Sequence, residues 1–138
     1  MYTIANCPVF SLYAASRKLI KIYTKVLEKV NLTYPQFLVI SCLLNKDGVS
    51  VDMLGQELFL DSGTLTPLLK RLEANNLITR SHSKEDERKR VISLTSQGRD
   101  IEKELISLRA EIRSKLHMSF EEVQNLKQIL AKILSTTD

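Results

Sequence analysis

Two short helical stretches separated by a few residues constrain this chain more than any other feature. "VDMLGQEL" (51–58) reads as one, and "DSGTLTPLLKRLEANN" (61–76) follows almost at once. Helix, tight turn and helix form a supersecondary unit with few architectural alternatives. Asp61 and Ser62 carry short oxygen-bearing side chains suited to capping a helix N-terminus. Pro67 has no backbone N–H and is harmless only near a helix start, so the second helix is predicted to begin between Ser62 and Thr64. Asn75 and Asn76 are its stop signals.

Two β-type runs, "LITRSHS" and "RVISLT", flank the charged "KEDERK" immediately afterwards. A hairpin with a charged tip fits them. Upstream, Pro8 to Val30 reads as one long helix in which Phe10, Tyr13, Ile20, Tyr23 and Leu27 recur at helical spacing. Leu12, Leu19, Ile22 and Val26 make it apolar on further faces, as expected of a helix covered from several directions. Thr33 caps a second helix with Pro35 in its first turn, and "NKDGVS" reads as a turn. After the hairpin, Thr95 or Ser96 opens a helix holding Ile101, Leu105, Leu108, Ile112 and Leu116. Ser119, followed by Glu121 and Glu122, opens a last one with Phe120, Val123, Leu126, Leu130 and Ile133 or Leu134.

The expected fold is therefore mainly α with a small β-hairpin wing, a winged helix-turn-helix. Residues 34–95 form the winged domain; residues 1–33 and 96–138 supply terminal helices. A chain of 138 residues has little core for such helices to cover. A homodimer joined through them is the economical arrangement.

The formal charge of +4 and a pI of about 9.1 matter only if the cations cluster. They do. On a helical wheel, Leu65, Leu68, Leu69 and Leu72 share one arc. Ser62, Thr66, Pro67, Lys70 and Arg71 occupy the rest, with Thr64 at the border. One face anchors, while the other offers hydroxyls and two cations of the kind that enter a major groove. An ordinary solvated surface helix would look the same in isolation. From Arg80 to Arg90 there are five cations (Arg80, Lys84, Arg88, Lys89, Arg90) against three acids (Glu85, Asp86, Glu87). A mixed run is usually a solvated loop. Beside a recognition helix, a cation at a hairpin tip can instead enter a narrow minor groove. Asp86 stands two residues before Arg88, where it would orient the guanidinium.

Other classes find little support. No nucleophile–base constellation, Gly-rich phosphate loop or metal-ligand spacing occurs, so no enzyme, cofactor or metal is expected. No apolar run approaches the roughly 18 residues of a membrane span, and no signal peptide is evident, which reads as cytoplasmic. Cys7 and Cys42 make no disulfide framework. A helical protein-interaction module with an incidental charged hairpin stays open on these residues alone.

"LDSGTLTPLLKRLE", "KEDERKRVISLTSQG" and "LTYPQFLVI" resemble the MarR-type winged-helix transcription regulators, over about residues 9 to 135. They look most like the organic-hydroperoxide repressor branch. Asp86, Arg88, Leu94 and Thr95 fill its D-x-R-x-x-x-x-x-L-T wing pattern. The resemblance implies a homodimer on a near-palindromic double-stranded DNA operator, usually repressing transcription. It puts Ser62, Thr64, Thr66, Pro67 and Arg71 in the major groove and Arg88 in the minor groove; Lys70, Lys84, Asp86, Lys89 and Arg90 complete the expected contact set.

The resemblance also implies a switch. Members of that branch carry a reactive cysteine in Cys-Phe-x-Leu-Tyr near the start of the first helix, held by tyrosines of the partner chain. Here the motif reads "VFSLY", with Val9 in the cysteine's place and Cys7 two residues earlier. Two helical residues rotate a side chain by about 200°. Tyr13, Tyr23 and Tyr34 stand where the sensor-pocket tyrosines would. Two accounts stand. Pro8 favours the first helical position, so Cys7 would sit at the helix N-terminus, where the macrodipole favours a thiolate and hydroperoxide sensing. Alternatively Cys7 is incidental, and a small aromatic effector releases the DNA without thiol chemistry. Cys42, within "LVISCLL", reads as a small buried hydrophobe.

Overall fold

The structure, a computed structural model, describes residues 3–137. A 3-10 turn (Ile4–Asn6) precedes helix α1 (Pro8–Leu27), which runs into a second 3-10 turn (Glu28–Val30). Helix α2 (Tyr34–Asn45), strand β1 (Val49–Ser50), and helices α3 (Val51–Leu58) and α4 (Ser62–Ala74) follow. Strands β2 (Ile78–His82) and β3 (Arg90–Leu94) then lead to helices α5 (Ser96–Asp100), α6 (Glu102–Lys115) and α7 (Phe120–Leu134).

Local chemistry explains the boundaries. Thr33 and Gln36 cap α2 reciprocally: Thr33 Oγ1 accepts from the Gln36 N–H at 3.3 Å, and Gln36 Oε1 accepts from the Thr33 N–H at 3.0 Å. Ser119 and Glu122 cap α7 reciprocally in the same way, whereas Ser50 caps α3 one way, its Oγ accepting from the Met53 N–H at 3.1 Å. Helix α4 ends at Asn75, and Asn76 takes the left-handed conformation at φ 60°, which asparagine tolerates.

The sequence-based expectations need four adjustments. The first helix stops at Leu27 rather than Val30, because Asn31 turns left-handed at φ 56°. The stretch read as a turn holds one only at Gly48 (φ 70°); Val49 and Ser50 pair with Ile92 and Val91, making the hairpin a three-stranded antiparallel sheet ordered β1-β3-β2. The helix after the wing divides at Ile101, whose backbone stays right-handed, so the division is a local loosening. Pro67 is the sixth residue of α4 and lies outside its first turn. The helix does begin at Ser62, but because Asp61 caps it. The missing N–H of exposed Pro67 leaves only the Gly63 carbonyl without its intrahelical donor.

The core lies between α2, α3, α4 and the sheet. Ile40, Leu43, Leu54, Leu65, Leu69, Leu72, Ile78 and Ile92 are each at most 1% exposed. Leu65, Leu69 and Leu72 are the arc expected to anchor α4, and Leu68 is half-buried. Helix α1 joins this core through its C-terminal half, with Val26 and Leu27 buried and Ile22 and Tyr23 packed against it. Its N-terminal half leaves Val9 71% and Tyr13 61% exposed, and α7 leaves Phe120 66% and Ile129 58% exposed. Among the described residues no helix is long and apolar enough to cross a membrane.

Candidate nucleic-acid interface

The outer face of α4 is built from its N-cap outward. Asp61 Oδ1 accepts from the Thr64 N–H at 2.7 Å. That backbone hydrogen bond holds the Asp61 carboxyl below the usual carboxylate range. With the leucines turned inward, Ser62, Thr64, Pro67, Lys70 and Arg71 are exposed, and Thr66 is half-buried. The helix therefore presents short hydroxyls near its N-terminus and two long cations further along.

The wing carries the second cluster. Strands β2 and β3 pair from Ile78↔Leu94 to His82↔Arg90. Beyond them the Ser83 N–H donates to the Lys89 carbonyl at 2.8 Å, and the Lys89 N–H to the Asp86 carbonyl at 3.0 Å. His82 Nδ1–H donates to the Glu87 carbonyl at 2.7 Å. Lys84, Asp86, Arg88, Lys89 and Arg90 are all exposed on this turn or its flank. Asp86 does not hold the Arg88 guanidinium as expected: its Oδ1 accepts from the Arg88 backbone N–H at 3.0 Å. Asp86 is a turn-former, and the Arg88 side chain projects without it.

Arg80 leaves the cluster altogether. Residues opposite one another on antiparallel strands share a face, and Arg80 is opposite Ile92, which is fully buried. The Arg80 side chain is accordingly only 14% exposed and donates through Nη2 to Glu73 Oε1 at 2.9 Å. The charge run missed this; the alternation Ile78-x-Arg80 was the available signal. Asp47 was also missed. Its Oδ1 accepts from the Leu94 N–H at 2.8 Å and its Oδ2 pairs with Arg99, fastening the base of the wing. Among the described residues, the ion pairs use none of Lys70, Arg71, Lys84, Arg88 or Lys89.

The predicted sensor residues do not converge within one chain. Cys7 is the half-buried N-cap of α1, with Pro8 at the first helical position as expected. Tyr23 and Tyr34 meet edge-on at 5.0 Å between centroids, and Phe37 lies 5.7 Å from Tyr23. Burial, and secondarily Tyr23, pushes the Tyr34 phenol above its ordinary pKa. Tyr13 stands apart, 61% exposed beneath the Arg17 guanidinium. Sixteen helical residues put Cys7 about 24 Å from Tyr23 along α1. Cys42 is half-buried rather than fully buried, on a cleft with Met53 and Glu57. Burial first, then Glu57, raises its thiol pKa.

A capped helix with a polar outer face, flanked by a cationic hairpin, defines a winged-helix regulator of the MarR type. A sequence profile described as "Transcriptional regulator SarA/Rot" matches residues 21–105, and the chain belongs to that family. It is 42% identical over 133 residues to the organic hydroperoxide resistance transcriptional regulator of Bacillus subtilis (strain 168), covering 96% of this chain and 90% of that one. The structure of reduced AbfR bound to DNA, a Staphylococcus epidermidis protein, superposes at a TM-score of 0.80 with 32% identity. That match covers 94% of this chain and 89% of AbfR. AbfR has also been solved overoxidized on DNA and in a disulfide-formed state. Bordetella bronchiseptica BpsR, whose DNA binding is regulated by 6-hydroxynicotinic acid, shares the fold (TM-score 0.90, 22% identity, 99% of each chain).

Proposed function

We propose that this protein is a homodimeric, sequence-specific DNA-binding transcription regulator acting on a near-palindromic operator. The observation that carries the reading is the polar face of α4 beside a wing tip whose cations Lys84, Arg88 and Lys89 form no ion pair among the described residues. Ser62, Thr64, Thr66, Pro67 and Arg71 face the major groove, and Arg88 enters the minor groove. Lys70, Lys84, Lys89 and Arg90 neutralise phosphates, and Asp86 shapes the tip. Residues 34–95 act as the reading head. Residues 1–33 and 96–138 join two copies, covering the apolar surface that α1 and α7 leave open. The test is a fluorescence-anisotropy titration of operator duplex at several salt concentrations. Displaced counterions make log affinity fall steeply and linearly with log salt; a salt-insensitive affinity overturns the reading.

Release by thiol oxidation is the proposed switch, with Cys7 as the reacting group and the tyrosines of a second copy around it. The redox states in which the related AbfR has been solved support it. A second reading rests on a cleft between α2 and α6 lined by Ser41, Leu44, Glu102, Ile106 and Arg109. There Arg109 lies 5.7 Å over the Phe37 ring and 3.2 Å from Ser41 Oγ, a setting for a small aromatic anion. Hydroperoxide titration of the operator complex separates the two. Release that survives in Cys7→Ser removes Cys7 from the mechanism. The helical interaction-module reading is not favoured, since the matched family and the relatives are transcription regulators.

A further inference from the structure

Arg80 is a cation in a DNA-reading domain that the fold turns away from the surface. It sits on the inward face of β2, level with Ile78 and Ile92, both at most 1% exposed. Its Nη2 reaches Glu73 Oε1 at 2.9 Å, and its Nε is buried with no hydrogen-bond partner among the described residues. A guanidinium free to choose solvent or phosphate would not leave a donor unsatisfied. Glu73 is on the last turn of α4, just before Asn75 ends it. Arg90, opposite His82 at the outer end of β3, adds a second positive charge near the same carboxylate. Arg80 and Glu73 therefore join the C-terminal end of one DNA-facing element to the inner face of the other.

Resting on the DNA-binding reading above, we propose that the Arg80–Glu73 pair is a brace fixing the angle between α4 and the wing. One protomer then meets adjacent major and minor grooves in a single register. Arg80 is a positioning residue and Glu73 its anchor; neither touches DNA. The connection between α4 and β2 is only Asn75 to Leu77, and Asn76 is held left-handed. The wing tip beyond His82 is tied mainly to itself, through Ser83, Asp86 and Lys89. Without the pair, the outer half of the hairpin keeps its β ladder but has a weaker tie to α4.

The two single variants make the proposal discriminating. Glu73→Gln removes an acid and raises the net charge, so a charge-only account expects tighter DNA binding. The brace expects weaker specific binding, by about three- to tenfold. Arg80→Gln removes a cation. Were Arg80 a phosphate contact, the log-affinity against log-salt slope would shrink by about 0.9; a brace leaves the slope unchanged while affinity falls. Arg80→Lys, which keeps a charge for Glu73, restores part of the loss. Non-specific duplex binding does not depend on register, so it follows only the change in net charge, rising slightly in Glu73→Gln, falling slightly in Arg80→Gln and staying level in Arg80→Lys. Hydrogen exchange in DNA-free protein gives an independent readout: amides of residues 78–82 and 90–94 exchange faster in both Gln variants, and those of α2 do not. A smaller salt slope in Arg80→Gln, or unaltered wing exchange in both variants, overturns the brace. Absence of duplex binding by the wild-type chain would instead overturn the underlying reading, and the exchange measurement would still decide the brace.

Discussion

The Thr95 hydroxyl donates to the Asn76 carbonyl at 2.6 Å while its oxygen accepts from the Gly98 N–H at 3.0 Å. One side chain thus ties the turn after α4 to the first turn of α5. The Thr95 N–H adds a bond to the Leu77 carbonyl at 3.1 Å. This junction seats the wing on the helices behind it. Thr95→Val keeps the volume and loses both hydroxyl bonds. It should lower the unfolding free energy by about 1–2 kcal/mol in urea titration. Gly98→Ala should cost more, at least about 2–3 kcal/mol, because an added Cβ would lie 2.2 Å from the Leu77 carbonyl oxygen, which is backbone and cannot step aside.

Acid should weaken the protein through identifiable carboxylates. Asp61, Glu73, Glu111 and Glu122 all have pKa values lowered in the fold. The leading causes are the Thr64 N–H for Asp61, Arg80 for Glu73, Lys29 for Glu111 and the Ser119 N–H for Glu122. A lowered folded pKa means the unfolded chain binds the proton more readily. The associated stability is therefore complete above the ordinary carboxylate range and is lost as pH falls through the lowered values. Melting temperature against pH should be flat near neutrality and fall below about pH 4.5. Asp61→Asn and Glu122→Gln, which keep the caps without the charge, should each make the acid limb shallower. An unchanged acid limb in both would refute this assignment.

Phe59 is strained where it stands. It occupies the turn between α3 and α4 at φ 55° and is 66% exposed. A left-handed backbone costs an L-residue about 1–2 kcal/mol, and this ring has little burial to offset it. Phe59→Gly relieves the strain but loosens the unfolded chain, so the expected gain is up to about 1 kcal/mol. Thermal unfolding should show a small rise in Tm; a fall would show that the ring packs better than its exposure indicates.

Contacts to bases and to phosphates should separate in binding assays. Arg88→Ala and Arg71→Ala should each weaken operator binding by about 1–3 kcal/mol and relax preference at one position of the site. Lys70→Ala should weaken all duplexes alike and reduce the salt slope by about 1. Gel-shift titrations over a set of operator variants measure both effects.

The apolar ends of the chain should determine its assembly. Ile129 and Ile133 lie one helical turn apart on α7, at 58% and 53% exposure. Ile129→Glu with Ile133→Glu puts two carboxylates on the face proposed to meet a second copy. Sedimentation velocity should show the double variant shifting toward monomer, with operator affinity falling alongside. Wild-type protein sedimenting as a monomer at micromolar concentration would defeat the assembly itself.

Much of this protein was legible residue by residue. The leucine arc of α4, the caps at Thr33, Asp61, Thr95 and Ser119, the asparagine stop and the hairpin with its charged tip all follow from local rules, because each concerns atoms only a few positions apart. Local chemistry could not say which members of a charge run face outward. Arg80 and Arg88 look alike in sequence. One lies in the ladder opposite Ile92 and is drawn inward to Glu73; the other lies on a turn where the Asp86 carboxylate takes its backbone N–H and leaves its guanidinium facing out. Strand β1 was equally hidden, since two residues hold no period and are strand only because β3 offers an open edge. Composition and spacing thus determined the elements and the kind of surface they display. Tertiary contact decided which charges remain available to a ligand, because that depends on partners distant in the chain.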